Sequence, residues 1–190
     1  MSFDCARYRN NTERLFDALK NILKRYGIVL VLVTGSLLIF SSRFTIGVNV
    51  TQSLPHTLYL IDKANHKIKT GDYVAFSWQT HQDSCRLALS FDDCMPDPIA
   101  ANTTVIKEVR GVPNDRIRVV DLTVWINEKA ISLIKTHAKD GSRLLPVTDG
   151  TIDQEQLYVH ADHPDSLDSR YQIPGLINKS QIKGRAYPLF

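Results

Sequence analysis

A chain of 190 residues with a formal net charge of +3 has room for one well-cored domain and an appendage, and its 8% aromatic and 23% charged content exclude wholesale disorder. The positive charge is concentrated at the start, where Arg7, Arg9, Arg14, Lys20, Lys24 and Arg25 stand against Asp4, Glu13 and Asp17. The remainder is close to balance, so the main domain has no basic footprint for nucleic acid.

The first predicted element is apolar. Ile28 to Phe40 carries no charge, and the stretch from Tyr26 to Ser42 is near the short end of the roughly 17–25 residues that cross a bilayer. A buried core helix and a cleaved signal peptide compete with a membrane span. The basic leader is long for a signal peptide, however, and no Ala-x-Ala cleavage site follows. A transmembrane helix over 26–42 best explains the abrupt change from basic to apolar sequence. Lys24 and Arg25 on one side and Arg43 on the other can extend their side chains to the interface. The positive-inside rule predicts residues 1–25 as a short cytoplasmic segment, with a helix start near Asn10-Asn11-Thr12-Glu13. Residues 44–190 then form a domain in the periplasm or outside the cell.

Cys85 and Cys94 lie in a polar, turn-rich stretch on that oxidising side. Two readings stay open: a disulfide stabilising the loop by roughly 2–3 kcal/mol, or two unpaired thiols. Cys5, on the reducing side, is expected to be free.

Beyond residue 57 the signals are β. Leu58–Asp62, Asp72–Trp78, Thr103–Val109, Asp115–Val120, Leu122–Ile126, Leu157–His160 and Ile182–Ala186 are short runs rich in β-branched and aromatic residues. Turn chemistry separates them at Lys69–Asp72 and Gly111–Asp115. The expected fold is mostly β, an antiparallel catalytic or binding domain behind a single N-terminal transmembrane helix.

Three segments carry candidate chemistry. In Asn49-Val50-Thr51-Gln52-Ser53-Leu54-Pro55 the proline limits backbone freedom around a serine that can serve as nucleophile; the bland reading is an ordinary turn. In Val105–Asp115, strand alternation puts Lys107 on one face with Val105 and Val109. Burial there lowers the pKa of an amine and makes it a usable general base, whereas an exposed edge-strand lysine would merely discourage aggregation. The third segment is His160–Tyr171. Its His160, Asp162, His163 and Asp165 invite a metal reading, but no Cys pair or H-E-x-x-H helix accompanies them, and no metal is expected. The other reading is a polar loop in which Asp168 pairs with Arg170 and Ser166 or Ser169 bonds a buried amine.

In this order the segments resemble the boxes of the type I signal peptidases, membrane-anchored serine peptidases with a Ser/Lys dyad. Val105-Ile-Lys-Glu-Val-Arg-Gly-Val-Pro-Asn-Asp115, Asp162 with Ser166-Leu-Asp-Ser-Arg-Tyr171, and Ile182-Lys-Gly-Arg-Ala186 are similar to three of them. Asn49-x-Thr-x-Ser-x-Pro55 followed by Leu58-Tyr59 resembles the conjugative-transfer branch, of the TraF type. The resemblance covers about residues 28–190. It implies Ser53 as nucleophile, Lys107 as general base, and Thr51 with the Ser53 backbone N–H as the oxyanion hole. It further implies Ser166 orienting the amine, Asp168 contributing to activity, and Arg170 holding the loop. Departures are Thr57 in place of a glycine, Ala161 and His163 in place of Gly and Asn, and Asn114 in place of Gly. Asn114 is a mild change because asparagine tolerates left-handed backbone.

The resulting expectation is a serine endopeptidase, without cofactor, that matures a conjugative pro-pilin or similar exported precursor at the bilayer of a bacterial inner membrane. Cleavage there is by hydrolysis or by joining the pilin's own ends. The alternatives are a general signal peptidase for exported proteins and a non-catalytic, membrane-anchored scaffold of a secretion or pilus complex.

Overall fold

The computed structural model describes residues 5–50, 53–65, 67–79 and 99–190, with side chains from residue 14 onward. Two compact units result, Met1–Arg43 and Phe44–Phe190.

The first is one helix, α1 (Cys5–Arg43). It begins at Cys5, ahead of the start expected near Asn10-Asn11-Thr12-Glu13, and runs on without interruption, because Gly27 and Gly35 are isolated and nothing between Asn10 and Arg25 breaks helical geometry. Arg14–Arg43 is long and apolar enough to cross a membrane: 30 residues reach about 45 Å at 1.5 Å each. Leu30, Val31, Leu37, Leu38 and Ile39 are all exposed, so apolar side chains point outward around the whole circumference. Three hydroxyls in this stretch bond back to their own helix, Thr34 to the Leu30 carbonyl (2.8 Å), Ser41 to Leu38 (3.0 Å) and Ser42 to Ile39 (2.7 Å). Hydrocarbon demands such internal satisfaction.

The second unit is antiparallel β throughout. Its strands are β1 (Phe44–Val48), β2 (Leu58–Asp62), β3 (Tyr73–Ser77), β4 (Thr104–Gly111), β5 (Arg116–Val120), β6 (Thr123–Ile126), β7 (Lys129–Leu133), β8 (Gly150–Thr151), β9 (Gln156–His160), β10 (Ile177–Asn178) and β11 (Ile182–Pro188). The larger sheet is ordered β1-β2-β11-β3-β4-β9-β10, and the smaller β7-β6-β5-β8. The turn expected at Gly111–Asp115 is present: Asn114 takes φ +74°, and the Asp115 carboxylate accepts the Val112 N–H at 2.9 Å. Leu122, expected to begin a strand, instead shares with Asp121 a two-residue turn, at φ +57° and +48°.

Alternation along β4 sorts the core. Val105 and Val109 pack with Val74 and Phe76 on one face, while Ile106 packs with Tyr59, Ile61 and Ala75 on the other. Lys107 pairs with Val74 of β3 and shares the Val105 and Val109 face. A further cluster around Ile117, Ile126, Ile152 and Tyr158 fills the space under the small sheet. Leu167 packs against two of these clusters. The polar loop containing it is thereby anchored where both sheets can position its side chains.

Candidate active site

Ser53 follows the disposition of its loop. Leu54 is buried beside Tyr59 and Ile61, fixing the chain immediately after the serine. The Asn49 amide Nδ2 donates to the carbonyls of Leu54 and His56, both at 3.3 Å, and the Asn49 backbone N–H donates to Thr57 at 2.8 Å. Asn49 closes the loop from its far side, a role not apparent from its place in the sequence box.

Lys107 arrives from the centre of the large sheet. Its Nζ lies 3.2 Å from Ser53 Oγ and 2.6 Å from Ser166 Oγ. Lys107, Ser53 and Ser166 are each less than a tenth exposed. Burial lowers the Lys107 pKa from 10.5 to about 8, with Arg170 acting in the same direction and the Asp168 carboxylate opposing. An amine poised there is substantially unprotonated just above neutrality, and a neutral amine can accept a hydroxyl proton.

Asp168 and Arg170 form the floor. The guanidinium donates from Nε to Asp168 Oδ1 at 2.9 Å and from Nη2 to Oδ2 at 3.1 Å. Nη2 also lies 2.9 Å from the Ser166 carbonyl and 3.0 Å from that of His163. One buried arginine thus holds both the carboxylate and the backbone that presents Ser166. Burial by itself would raise the Asp168 pKa, yet His160 and Arg170 hold the carboxyl below its usual range. Asp168 also accepts the Ala161 N–H at 3.0 Å.

Of the two serines left open by sequence, Ser166 meets the amine. Ser169 faces away, accepting the Val159 N–H at 3.0 Å and donating to the Gly175 carbonyl at 2.7 Å. His160 is buried, with Nδ1 3.2 Å from Asp168 and Nε2 3.3 Å from Asp162. Its neighbourhood with Asp168 arises because β9 leads directly into the loop, a relation legible only once that strand is placed. His163 lies on the cleft wall, and its Nδ1 accepts the Asp165 N–H at 3.2 Å. Thr51, Cys85 and Cys94 lie outside the described residues.

Ser53, Lys107 and Ser166 open onto a cleft of about 490 Å³ whose wall includes Val48, Val50, Ile99 and Val105. A serine hydroxyl, a neutral-capable amine and a second hydroxyl in the wall of an apolar cleft are suited to acyl transfer.

The signal peptidase family, peptidase S26, matches residues 19–190. The chain belongs to this family. Membership places it among the serine peptidases. It is 29% identical over 149 residues to the conjugal transfer protein TraF of Agrobacterium fabrum, covering 75% of this chain and 81% of that relative. A signal peptidase I from Enterococcus faecalis V583 aligns over 67% of this chain and all of its own, at 19% identity and a TM-score of 0.35.

Proposed function

We propose that this signal peptidase works through a Ser53/Lys107 dyad and matures a conjugative pilin precursor. The observation that carries the reading is Lys107 Nζ, buried between the hydroxyls of Ser53 and Ser166. In the neutral state Lys107 takes the Ser53 proton as Oγ attacks the scissile carbonyl. The resulting ammonium then protonates the leaving amine, releasing the downstream peptide and leaving an ester on Ser53. A water, or the amino terminus of the same pilin, attacks that ester with Lys107 again as base. The first route gives a linear product and the second a head-to-tail ring. Ser166 orients the amine, Asp168 and Arg170 hold the loop, and Thr51 with the Ser53 N–H serves the oxyanion. Likeness to a conjugal transfer protein favours a pilin over exported proteins in general.

In this reading residues 1–25 are cytoplasmic, 26–42 span the inner membrane and 44–190 form the periplasmic peptidase. The outward apolar surface of α1 supports the anchor, and the early cluster of Lys and Arg supports the orientation. The experiment is co-expression of the pro-pilin with the wild-type chain, Ser53→Ala and Lys107→Ala, followed by pilin mass measurement. Processing by wild type alone supports the dyad, and a further loss of one water supports ring closure. Equal processing by all three, with each enzyme present in the membrane, refutes the dyad. Processing of unrelated exported precursors at the same rate refutes pilin specificity.

A further inference from the structure

The cleft in front of Ser53 has two chemically different flanks. On one it shares Val48, Thr104 and Ile106 with an adjoining groove of about 410 Å³. On another it shares Lys139, Asp165, Ser166 and Leu167 with a cavity of about 260 Å³. Among the described residues, and apart from Lys107, the charged or titratable side chains lining the cleft are Lys139, His163 and Asp165, and His163 belongs to the same loop as Asp165.

Two ammonium groups converge on the single Asp165 carboxylate: Lys135 on Oδ1, and Lys139 on Oδ2 at 3.0 Å. The trio carries one positive charge in excess. Nearby acids are directed elsewhere. Asp140 accepts the Ser142 N–H in its own turn at 3.0 Å, and Asp162 faces His160 and Arg110. Lys139 is the more exposed of the two lysines, at 79% against 46%. An ammonium has three N–H donors, and Asp165 engages one face of it. Lys135 remains on Asp165 if Lys139 turns toward the cleft.

We propose that Lys139, with Lys135 and Asp165 behind it, is a specificity residue that receives a carboxylate of the substrate polypeptide a few residues from the scissile bond. The carboxylate comes from an Asp or Glu side chain or from the chain's own α-carboxylate. The inference rests on the peptidase reading above. It adds that charge at one flank of the cleft takes part in selecting the substrate.

The test uses the full-length protein in detergent micelles and quenched fluorescent peptides with alanine on both sides of the cut. One set carries Asp, Asn or Lys at each nearby position on either side; a second compares a free carboxyl terminus with an amide. Wild type is expected to favour the acidic peptide over its lysine counterpart by about 2–5-fold in kcat/KM at low salt, fading at high salt, as for an exposed ion pair. Lys139→Glu inverts that preference and Lys139→Gln abolishes it, while the neutral peptide is cleaved at nearly wild-type rate. If only the acid-versus-amide pair responds, the α-carboxylate is the ligand. The same preference in all three proteins, or a uniform loss across all peptides, overturns the inference and leaves the dyad standing. Failure of wild type to cleave any peptide, with the pro-pilin also uncut, overturns the peptidase reading and this inference with it.

Discussion

Replacing Lys107 by methionine should make the protein more stable near neutral pH and abolish its activity. The free lysine pKa of 10.5 falls to about 8 in the folded chain, which amounts to about 3 kcal/mol against the buried ammonium. Below pH 8 both folded and unfolded chains hold the proton, and the folded state carries this penalty in full. Between pH 8 and 10.5 the unfolded chain holds more protons, so wild-type stability rises with pH. Above 10.5 neither state is charged and the penalty is gone. Methionine keeps the aliphatic length but removes the 2.6 Å partner of buried Ser166, and losing that hydrogen bond offsets about 1 kcal/mol. The net gain at pH 7 is about 2 kcal/mol, or about 4–8 °C in Tm for a domain of this size. Thermal melting of the full-length proteins in detergent from pH 7 to 10.5 measures it. The advantage of the variant should shrink through pH 8–10.5 and vanish or reverse at the top. A difference that does not change with pH, or a less stable variant at pH 7, would refute the assignment of Lys107 as a buried, destabilised ammonium.

Other consequences follow from the same geometry. The acid limb of kcat/KM for peptide cleavage should titrate with a midpoint near 8, activity rising with pH as Lys107 loses its proton; a midpoint near 10.5 would contradict burial as the activating device. Asp168→Asn removes the anion that raises the Lys107 pKa and leaves Arg170 buried without its partner. The midpoint should move below wild type, and stability should fall by about 3–5 kcal/mol, readable as a lower Tm. Gly184→Ala places a Cβ 2.3 Å from the Asp62 carbonyl oxygen at a residue with φ +154°, in the bulge where β11 shifts register on β3. It should destabilise by about 2 kcal/mol or more, measured by melting.

Much of the sheet was legible because β-branched and aromatic residues crowd into short runs bounded by turns, as in Leu58–Asp62 and Tyr73–Ser77. β1 was not, because Phe44-Thr-Ile-Gly-Val is only five residues long, is interrupted by a glycine and follows directly on the Ser41-Ser42-Arg43 end of α1. The β5–β6 turn was also hidden: Asp121-Leu122 contains no glycine, yet both residues take positive φ. Sorting of the strands into two sheets depends on pairings that no local pattern encodes.

At the site, the lysine face of β4 was readable from alternation, and the Asp168–Arg170 pair from two-residue spacing within one loop. Local pattern did not choose between Ser166 and Ser169, and only the family resemblance pointed to Ser166; in the folded chain the choice follows from how Leu167 seats the loop against two cores. The meeting of Lys135 and Lys139 with Asp165 was not readable, because a separate segment supplies the lysines and only the folded chain brings it to that loop.

The most direct measurement of the central claim is covalent. Acid quenching of wild-type protein during cleavage of a peptide or the pro-pilin, followed by digestion and mass mapping, should find the acyl group on the peptide containing Ser53. No adduct should form in Lys107→Ala. An acyl group on any other residue, or an adduct on Ser53 that forms as fast without Lys107, would contradict the dyad.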